Sequence, residues 1–180
     1  MKTNFKQNSV KLAIAAGLVA GAAGLAVPAY AEDGSSSSTT MQVTAGIGKN
    51  CVIETSNISF GSYDPANVNA TDPLDATGTI TTTCTIGTAG EIFIDYGDHA
   101  VGESTARRML GTNTAGFLNY EVYSDTDRGT IWAGYDDETG VAITAAGVGE
   151  LMTVYGRIPG AQTDAANDSY TDTLTVLVAY

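Results

Sequence analysis

The sequence has few of the side chains on which enzyme active sites depend. It holds one histidine, His99, one tryptophan, Trp132, and two cysteines. A Ser-His-Asp triad would have to use His99, which lies in the turn-like segment 97–100, and no G-x-S-x-G elbow is present. The sequence therefore predicts that the protein is not an enzyme, that His99 is a surface residue and that Trp132 is a core aromatic.

Ligands for metal ions are equally scarce. A single histidine and the absence of a C-x-x-C motif argue against a zinc site. Acidic residues cluster at 125–127 and 136–138, but they lack the spacing of a calcium-binding loop. We expect solvated turns there, with calcium binding as the open alternative. No cofactor is predicted.

Positive charge is the third shortage. Eight Lys and Arg residues stand against twenty Asp and Glu residues, which gives a formal net charge of −12. Such a surface repels nucleic-acid phosphate and anionic lipid. Nucleic acid is therefore not an expected partner.

Long apolar runs are absent except at the start of the chain. Residues 12–27 are apolar, follow a basic stretch at 2–11 and lead to an A-x-A cleavage signal at 29–31. This arrangement predicts that residues 1–31 are a cleaved signal peptide, with a membrane anchor as the alternative. We expect an exported chain without membrane insertion. Loss of three lysines would bring its net charge from −12 to near −15.

The two cysteines, Cys51 and Cys84, remain after export. An even count in an exported chain predicts one disulfide. The closed loop of about 33 residues would stabilise the fold by roughly 3–4 kcal/mol.

The rest of the chain alternates with the period of β-strands, and no helical stripe is present. Thr, Val, Ile and Tyr are common, and Gly, Asn and Asp separate the runs. About seven short strands predict an all-β fold, a single antiparallel sandwich. The clearest strands are 52–60, 78–86, 91–96, 117–123, 151–158 and 173–180. In the second of these, Ile80, Thr82, Cys84 and Ile86 share one face. A polar loop is expected at 67–77, and segment 142–149 is left unassigned.

A further alternating run, 39–47, precedes Cys51 and follows a Ser-rich spacer. Its apolar row is Met41, Val43, Ala45 and Ile47, separated by Thr40, Gln42, Thr44 and Gly46. The pattern predicts a half-buried strand. That strand could pair within its own domain, with 48–50 as a three-residue hairpin loop, or it could serve a neighbouring copy. The pattern leaves both open.

Several blocks, in order along nearly the whole chain after residue 31, resemble the spore coat protein U domain family. The most specific of them is Val-Tyr-Gly-Arg-Ile-Pro at 154–159, followed by Gln162. The others are the segment 58–65 after Cys51, the strand 78–84 ending at Cys84, Arg107-Arg108-Met109, residues 118–125, Ile131-Trp132 and the closing segment 170–180.

The resemblance implies a fold and a function. The family includes subunits of archaic chaperone–usher pili, so we expect an immunoglobulin-like sandwich that lacks one strand and is completed by donor-strand exchange. The implied partners are identical or related subunits, a periplasmic chaperone and an outer-membrane usher. The implied product is a surface fibre of a Gram-negative bacterium that supports adhesion and biofilm formation.

The resemblance also assigns roles to segments. Residues 32–48 become a flexible extension that carries the donor strand, and 49–180 become the sandwich domain. The donor residues are Thr39, Met41, Val43, Ala45 and Ile47, and the terminal strand open to a chaperone carries Leu174, Val176, Val178 and Tyr180. The alternative is a self-contained secreted spore-coat or lectin-like binding domain.

Overall fold

A computed structural model describes residues 37–101, 106–137 and 139–180. The predicted signal peptide, 1–31, and the start of the predicted extension lie outside the described residues. Within them the chain forms nine β-strands, one 3-10 turn at Val68–Ala70 and no α-helix. The strands are β1 (Cys51–Ser56), β2 (Leu74–Cys84), β3 (Ala89–Ile94), β4 (Arg107–Gly111), β5 (Phe117–Tyr123), β6 (Val141–Thr144), β7 (Glu150–Ile158), β8 (Tyr170–Thr171) and β9 (Val176–Ala179).

The strands form two antiparallel sheets. One has the order β1-β2-β7-β5-β4-β8, and the other has the order β6-β3-β9. Inward side chains of both sheets meet in one core, because each strand turns alternate residues to the same face. The predicted all-β, immunoglobulin-like sandwich is confirmed. Its core contains Ile80, Ile92, Ile94, Leu118, Tyr120, Val122, Trp132, Val154 and Ile158.

The predicted alternation holds best on β5, where Leu118, Tyr120 and Val122 are all buried. On β2 the expected face is buried through Cys84 but fails at Ile86, which is 76% exposed. The reason is that β2 ends at Cys84, so Ile86 already lies in the following turn.

Pairing between strands corrects several predicted boundaries. β2 begins at Leu74, inside the expected loop 67–77, because Leu74 pairs with Ile158 of β7. β1 ends at Ser56 rather than at residue 60. No strand was expected at β4, whose first two residues are arginines, or at β6, which is short and lies in an Ala-rich segment.

The disulfide Cys51–Cys84 is present and closes the β1–β2 ladder, in which the two cysteines are paired residues. Trp132 is 1% exposed, as expected for a core aromatic, and its indole N–H donates to the Ile92 carbonyl at 3.1 Å. No helix among the described residues has the length and apolar character needed to span a bilayer.

Candidate functional site

A cleft runs between the first and last segments of the sandwich domain. It consists of a cavity of about 430 Å³ between residues 55–60 and 170–176, and a second of about 820 Å³ between residues 58–65 and 165–170. We call residues 55–65 the first wall and residues 165–176 the last wall. Residue numbers rise along the first wall as they fall along the last, so the two walls run in opposite directions. We call these two adjoining cavities the cleft.

The floor of the cleft is the core itself. In the smaller cavity it is formed by buried side chains of β2, β3, β5 and β7, namely Ile80, Ile94, Tyr120 and Val154. In the larger cavity it includes Leu118 and Ile158. An opening over core residues of both sheets is what a sandwich leaves when a strand is missing from between its edges.

Two glycines position the first wall. After β1 the chain crosses the inner face of the large sheet, where Ile58 and Phe60 rest against Gly78 and Gly156. A Cβ at Gly78 would lie 2.7 Å from Ile58 Cγ1, and a Cβ at Gly156 would lie 2.8 Å from Phe60 Cζ. Any larger residue at either glycine would therefore displace this wall.

The last wall is the segment that crosses from one sheet to the other. The expected strand 173–180 is realised only as β9, which pairs with β3, while the shorter β8 just before it pairs with β4 of the other sheet. Asp172 fixes the crossing, since its side chain is 2% exposed, accepts a hydrogen bond from Tyr120 Oη at 2.7 Å and lies 2.8 Å from His99 Nδ1. Burial, with a further contribution from Asp172, raises the pKa of Tyr120 far above its ordinary value.

His99, which we expected to be a surface residue, is only partly exposed. Its side chain is 29% exposed and contacts the buried Asp172. The two residues are far apart in sequence, so no local pattern could have indicated this pairing.

Each wall of the cleft is continuous with an edge strand. In the described part of the chain, β1 pairs with β2 alone and β9 pairs with β3 alone. The terminal residues Leu174, Val176 and Val178 are half-buried against the core. Tyr180 differs from them: it lies beyond β9 and is 51% exposed.

The alternating segment 39–47 belongs to no ladder. Residues 37–50 form no strand and are all exposed, with Met41, Val43 and Ile47 at 87–90% exposure. The predicted half-buried strand is therefore not formed within this chain, because a strand needs a hydrogen-bonding neighbour to be buried.

Residues 48–50 are not a hairpin loop. The Asn50 carbonyl accepts a hydrogen bond from the Thr85 N–H at 2.9 Å, and the Gly48 carbonyl accepts one from Thr85 Oγ1 at 3.2 Å. Since Cys51 pairs with Cys84, the bond between the Thr85 N–H and Asn50 continues the same register by one residue. Asn50 thus extends the β1–β2 pairing by one residue instead of belonging to a reversing loop.

The acidic turns are built from internal hydrogen bonds. Asp125 accepts bonds from the backbone N–H groups of Gly129 at 3.0 Å and Thr130 at 2.6 Å. The bond from Gly129 is the main cause of the lowered pKa of Asp125. Among the residues that the structure describes, no group of three or more His, Cys, Asp or Glu side chains could hold a metal ion.

Of the residues that line the cleft, the sequence pointed only to Leu174 and Val176, which belong to the predicted terminal strand. No alternating pattern indicates a groove in the two wall segments, 58–65 and 165–170, or around Met109. The one available signal was that residues 58–65, Met109 and Tyr170 fall within blocks shared with the family.

Comparison with known proteins agrees with this architecture. The Spore Coat Protein U domain family matches residues 37–177. "Protein U" of Myxococcus xanthus is 30% identical over 183 residues, which cover 96% of this chain and 99% of the relative.

A solved structure shares the fold at lower identity. It is the CsuC-CsuE chaperone-tip adhesion subunit pre-assembly complex from archaic chaperone-usher Csu pili of Acinetobacter baumannii, with a TM-score of 0.52 and 17% identity. The match covers 74% of this chain and 40% of that chain, so this chain spans less than half of its length. With the family model matching most of its length, the chain belongs to the spore coat protein U domain family.

Proposed function

We propose that this protein is a structural subunit of a chaperone–usher surface pilus. It polymerises when residues 39–47 of one copy insert as a strand into the cleft of the next. The observation that carries the proposal is a core-deep cleft between two edge strands, in a chain that also has an exposed alternating segment.

An inserted strand would satisfy two needs of the cleft at once. Backbone groups on the open edges of β1 and β9 lack ladder partners among the described residues, and unpaired edges are a risk for aggregation. Strand addition supplies main-chain hydrogen bonds, while alternate side chains fill the cavities. The edge and the apolar floor are thus covered by the same ligand.

The segment 39–47 has the chemistry of that ligand. Its row of Met41, Val43, Ala45 and Ile47 would face the floor, with Thr39 at one end. Burial of Met41, Val43 and Ile47 contributes about 1.5–3 kcal/mol each. The segment forms no ladder with the strands of its own chain, which leaves it available for insertion into another copy.

Such a contact propagates. Donor segment and cleft are different surfaces of one molecule, so each inserted strand leaves a new cleft or donor free at the end. A heterologous contact that does not close on itself produces a filament.

The proposed domain organisation has three parts: a signal peptide at 1–31, an extension at 32–48 and the sandwich at 49–180.

Before assembly the cleft needs a temporary occupant. A periplasmic chaperone would hold it by pairing with the terminal strand that carries Leu174, Val176, Val178 and Tyr180, and an outer-membrane usher would exchange the chaperone for the next subunit. The similar solved structure, a chaperone–subunit pre-assembly complex, supports this role. The product is a fibre on the surface of a Gram-negative bacterium, where it supports adhesion and biofilm formation.

The test compares two aspartate substitutions on opposite faces of the donor segment. Val43→Asp places a charge in an apolar cavity and should abolish fibres, whereas Thr44→Asp places the same charge on the outer face and should preserve them. Deletion of residues 32–47 should also abolish fibres while chaperone binding is retained. Fibres are counted by electron microscopy on expressing cells.

Normal fibres from the deletion variant would refute the proposal. The outcome that favours a self-contained spore-coat or lectin-like domain is also measurable. In that case the isolated wild-type chain is a stable monomer, and the amides of residues 39–47 are protected from hydrogen exchange.

A further inference from the structure

Lys49 is the one cation of the described residues whose side chain has no partner. Each of the four arginines binds a carboxylate or a backbone carbonyl of its own chain. Lys49 is exposed and forms no ion pair or side-chain hydrogen bond with any residue that the structure describes. On a chain with twenty acidic residues, such a cation is available to a carboxylate of another copy.

Lys49 lies where the donor segment leaves the sandwich. On either side of it, the carbonyls of Gly48 and Asn50 accept hydrogen bonds from Thr85, at 3.2 and 2.9 Å. Ile47, the last residue of the donor row, is two positions earlier, and two residues of a strand span about 6.6–6.8 Å. When the donor segment of one copy fills the cleft of the next, Lys49 therefore comes to the end of the cleft that receives Ile47.

The two ends of the cleft differ in the carboxylates that they offer. One end lies in the smaller cavity, at the start of the first wall, and the other lies in the larger cavity, at the end of the first wall. Among the described residues, Asp172 is the carboxylate that lines the smaller cavity. Its side chain is 2% exposed and already contacts Tyr120 and His99. The smaller cavity therefore offers no accessible carboxylate to Lys49.

The larger cavity is lined by two carboxylates, Asp64 and Asp168. Asp168 accepts five hydrogen bonds from nearby backbone and side-chain groups at 2.7–2.8 Å, so its oxygens are occupied. Asp64 is exposed, and within the described chain its carboxylate accepts one hydrogen bond, from the Ala66 N–H to Oδ1 at 3.1 Å. Its other oxygen, Oδ2, is open to a cation from another molecule.

From this distribution of charge, we propose that Lys49 of one copy forms an ion pair with Asp64 of the next, at the end of the cleft in the larger cavity. The pair sets the direction of the inserted strand, with Ile47 near the end of the first wall and Thr39 near its start. Charge pairs at the rim of an interface act on orientation and association rate more than on affinity. The inference rests on the proposed function and adds the contact that orients the donor segment.

Carbodiimide cross-linking of fibres tests the pair directly, because this reagent joins an amine to a carboxylate that touches it. Lys49 is the only lysine after residue 31, so each lysine cross-link in the exported chain reports the neighbours of Lys49. We expect cross-linked dimers on denaturing gels, in which tandem mass spectrometry finds Lys49 joined to Asp64. Asp64→Asn keeps the oxygen that binds the Ala66 N–H and should remove this cross-link while fibres still form.

Charge exchange provides an independent measurement. Lys49→Glu brings two carboxylates together and should lower the yield of fibres by about fivefold. Addition of Asp64→Lys to that chain should restore the yield to within about twofold. Glu54→Lys is the matched control, because Glu54 is exposed beside the start of the first wall and lines neither cavity. It should not restore the yield of Lys49→Glu.

The outcomes separate this inference from the proposed function. The pair would be overturned by a dimer cross-link from Lys49 to another carboxylate, by a cross-link that persists in Asp64→Asn, by the absence of cross-linked dimers, or by a full yield from Lys49→Glu. Restoration by Glu54→Lys instead of Asp64→Lys would overturn it as well and place the donor segment in the opposite direction. Fibres from the chain that lacks residues 32–47 would instead overturn the proposed function itself.

Discussion

Arg107 is the residue whose loss should destabilise the sandwich most. Its side chain is fully buried and donates to three backbone carbonyls: Nε donates to the Asp95 carbonyl at 2.8 Å, and Nη2 donates to the Ile94 and Trp132 carbonyls at 2.6 and 2.9 Å. Nη1 forms an ion pair with Glu121. The guanidinium also lies 4.8 Å from the centre of the Tyr96 ring.

The magnitude follows from what Arg107→Ala would leave behind. The Glu121 carboxylate, whose side chain is 14% exposed, would lose its cation, and breaking a buried ion pair in this way costs about 3–5 kcal/mol. Three carbonyls would lose a donor as well. Domains have a total free energy of unfolding of about 5–15 kcal/mol, so the variant should lose roughly a fifth of it or more. The expected fall in Tm is about 10 °C.

Urea unfolding with the disulfide intact measures this loss. Arg108→Ala is the matched control, because Arg108 is half-buried with its guanidinium 3.7 Å from the Phe117 ring centre, and it should cost about 1 kcal/mol. Pairing Arg107→Met with Glu121→Gln removes both charges and should cost less than Arg107→Ala alone. If Arg107→Ala costs no more than Arg108→Ala, the reasoning about the buried pair is wrong.

Two further changes test other features of the fold. Thr88 is 2% exposed, and its hydroxyl has no hydrogen-bond partner in the described structure. Thr88→Val should therefore leave the free energy of unfolding in urea unchanged or raise it by about 1–3 kcal/mol at most. A clear loss of stability would contradict this. Asp75 accepts two hydrogen bonds from Arg157, which lower the pKa of its carboxyl group in the folded state below the ordinary 3.8. The ionised Asp75 therefore stabilises the fold fully above pH 3.8, and this contribution is lost as the pH falls through the lower pKa of the folded state. In an NMR titration, Arg157→Leu should raise the Asp75 pKa toward 3.8, and an unchanged pKa would exclude Arg157 as the cause.

Much of the fold was predictable because alternation is a local property. The buried faces of β5 and of β2 up to Cys84 follow directly from residues two positions apart. Boundaries were less predictable, since Leu74 becomes a strand residue only through its pairing with Ile158. β4 begins with two arginines, and Arg107 is buried only because carbonyl groups from distant segments surround it.

The sequence by itself determined the all-β class, the pairing of two cysteines and the alternating row at 39–47, because each depends on residue type and spacing along the chain. Only the tertiary structure decided that the first and last segments of the sandwich leave a cleft, that Gly78 and Gly156 seat its wall, and that Asn50 extends the β1–β2 pairing instead of belonging to a reversing loop. These features depend on which strands become neighbours. That choice is made by the packing of residues distant in sequence, which no local pattern records.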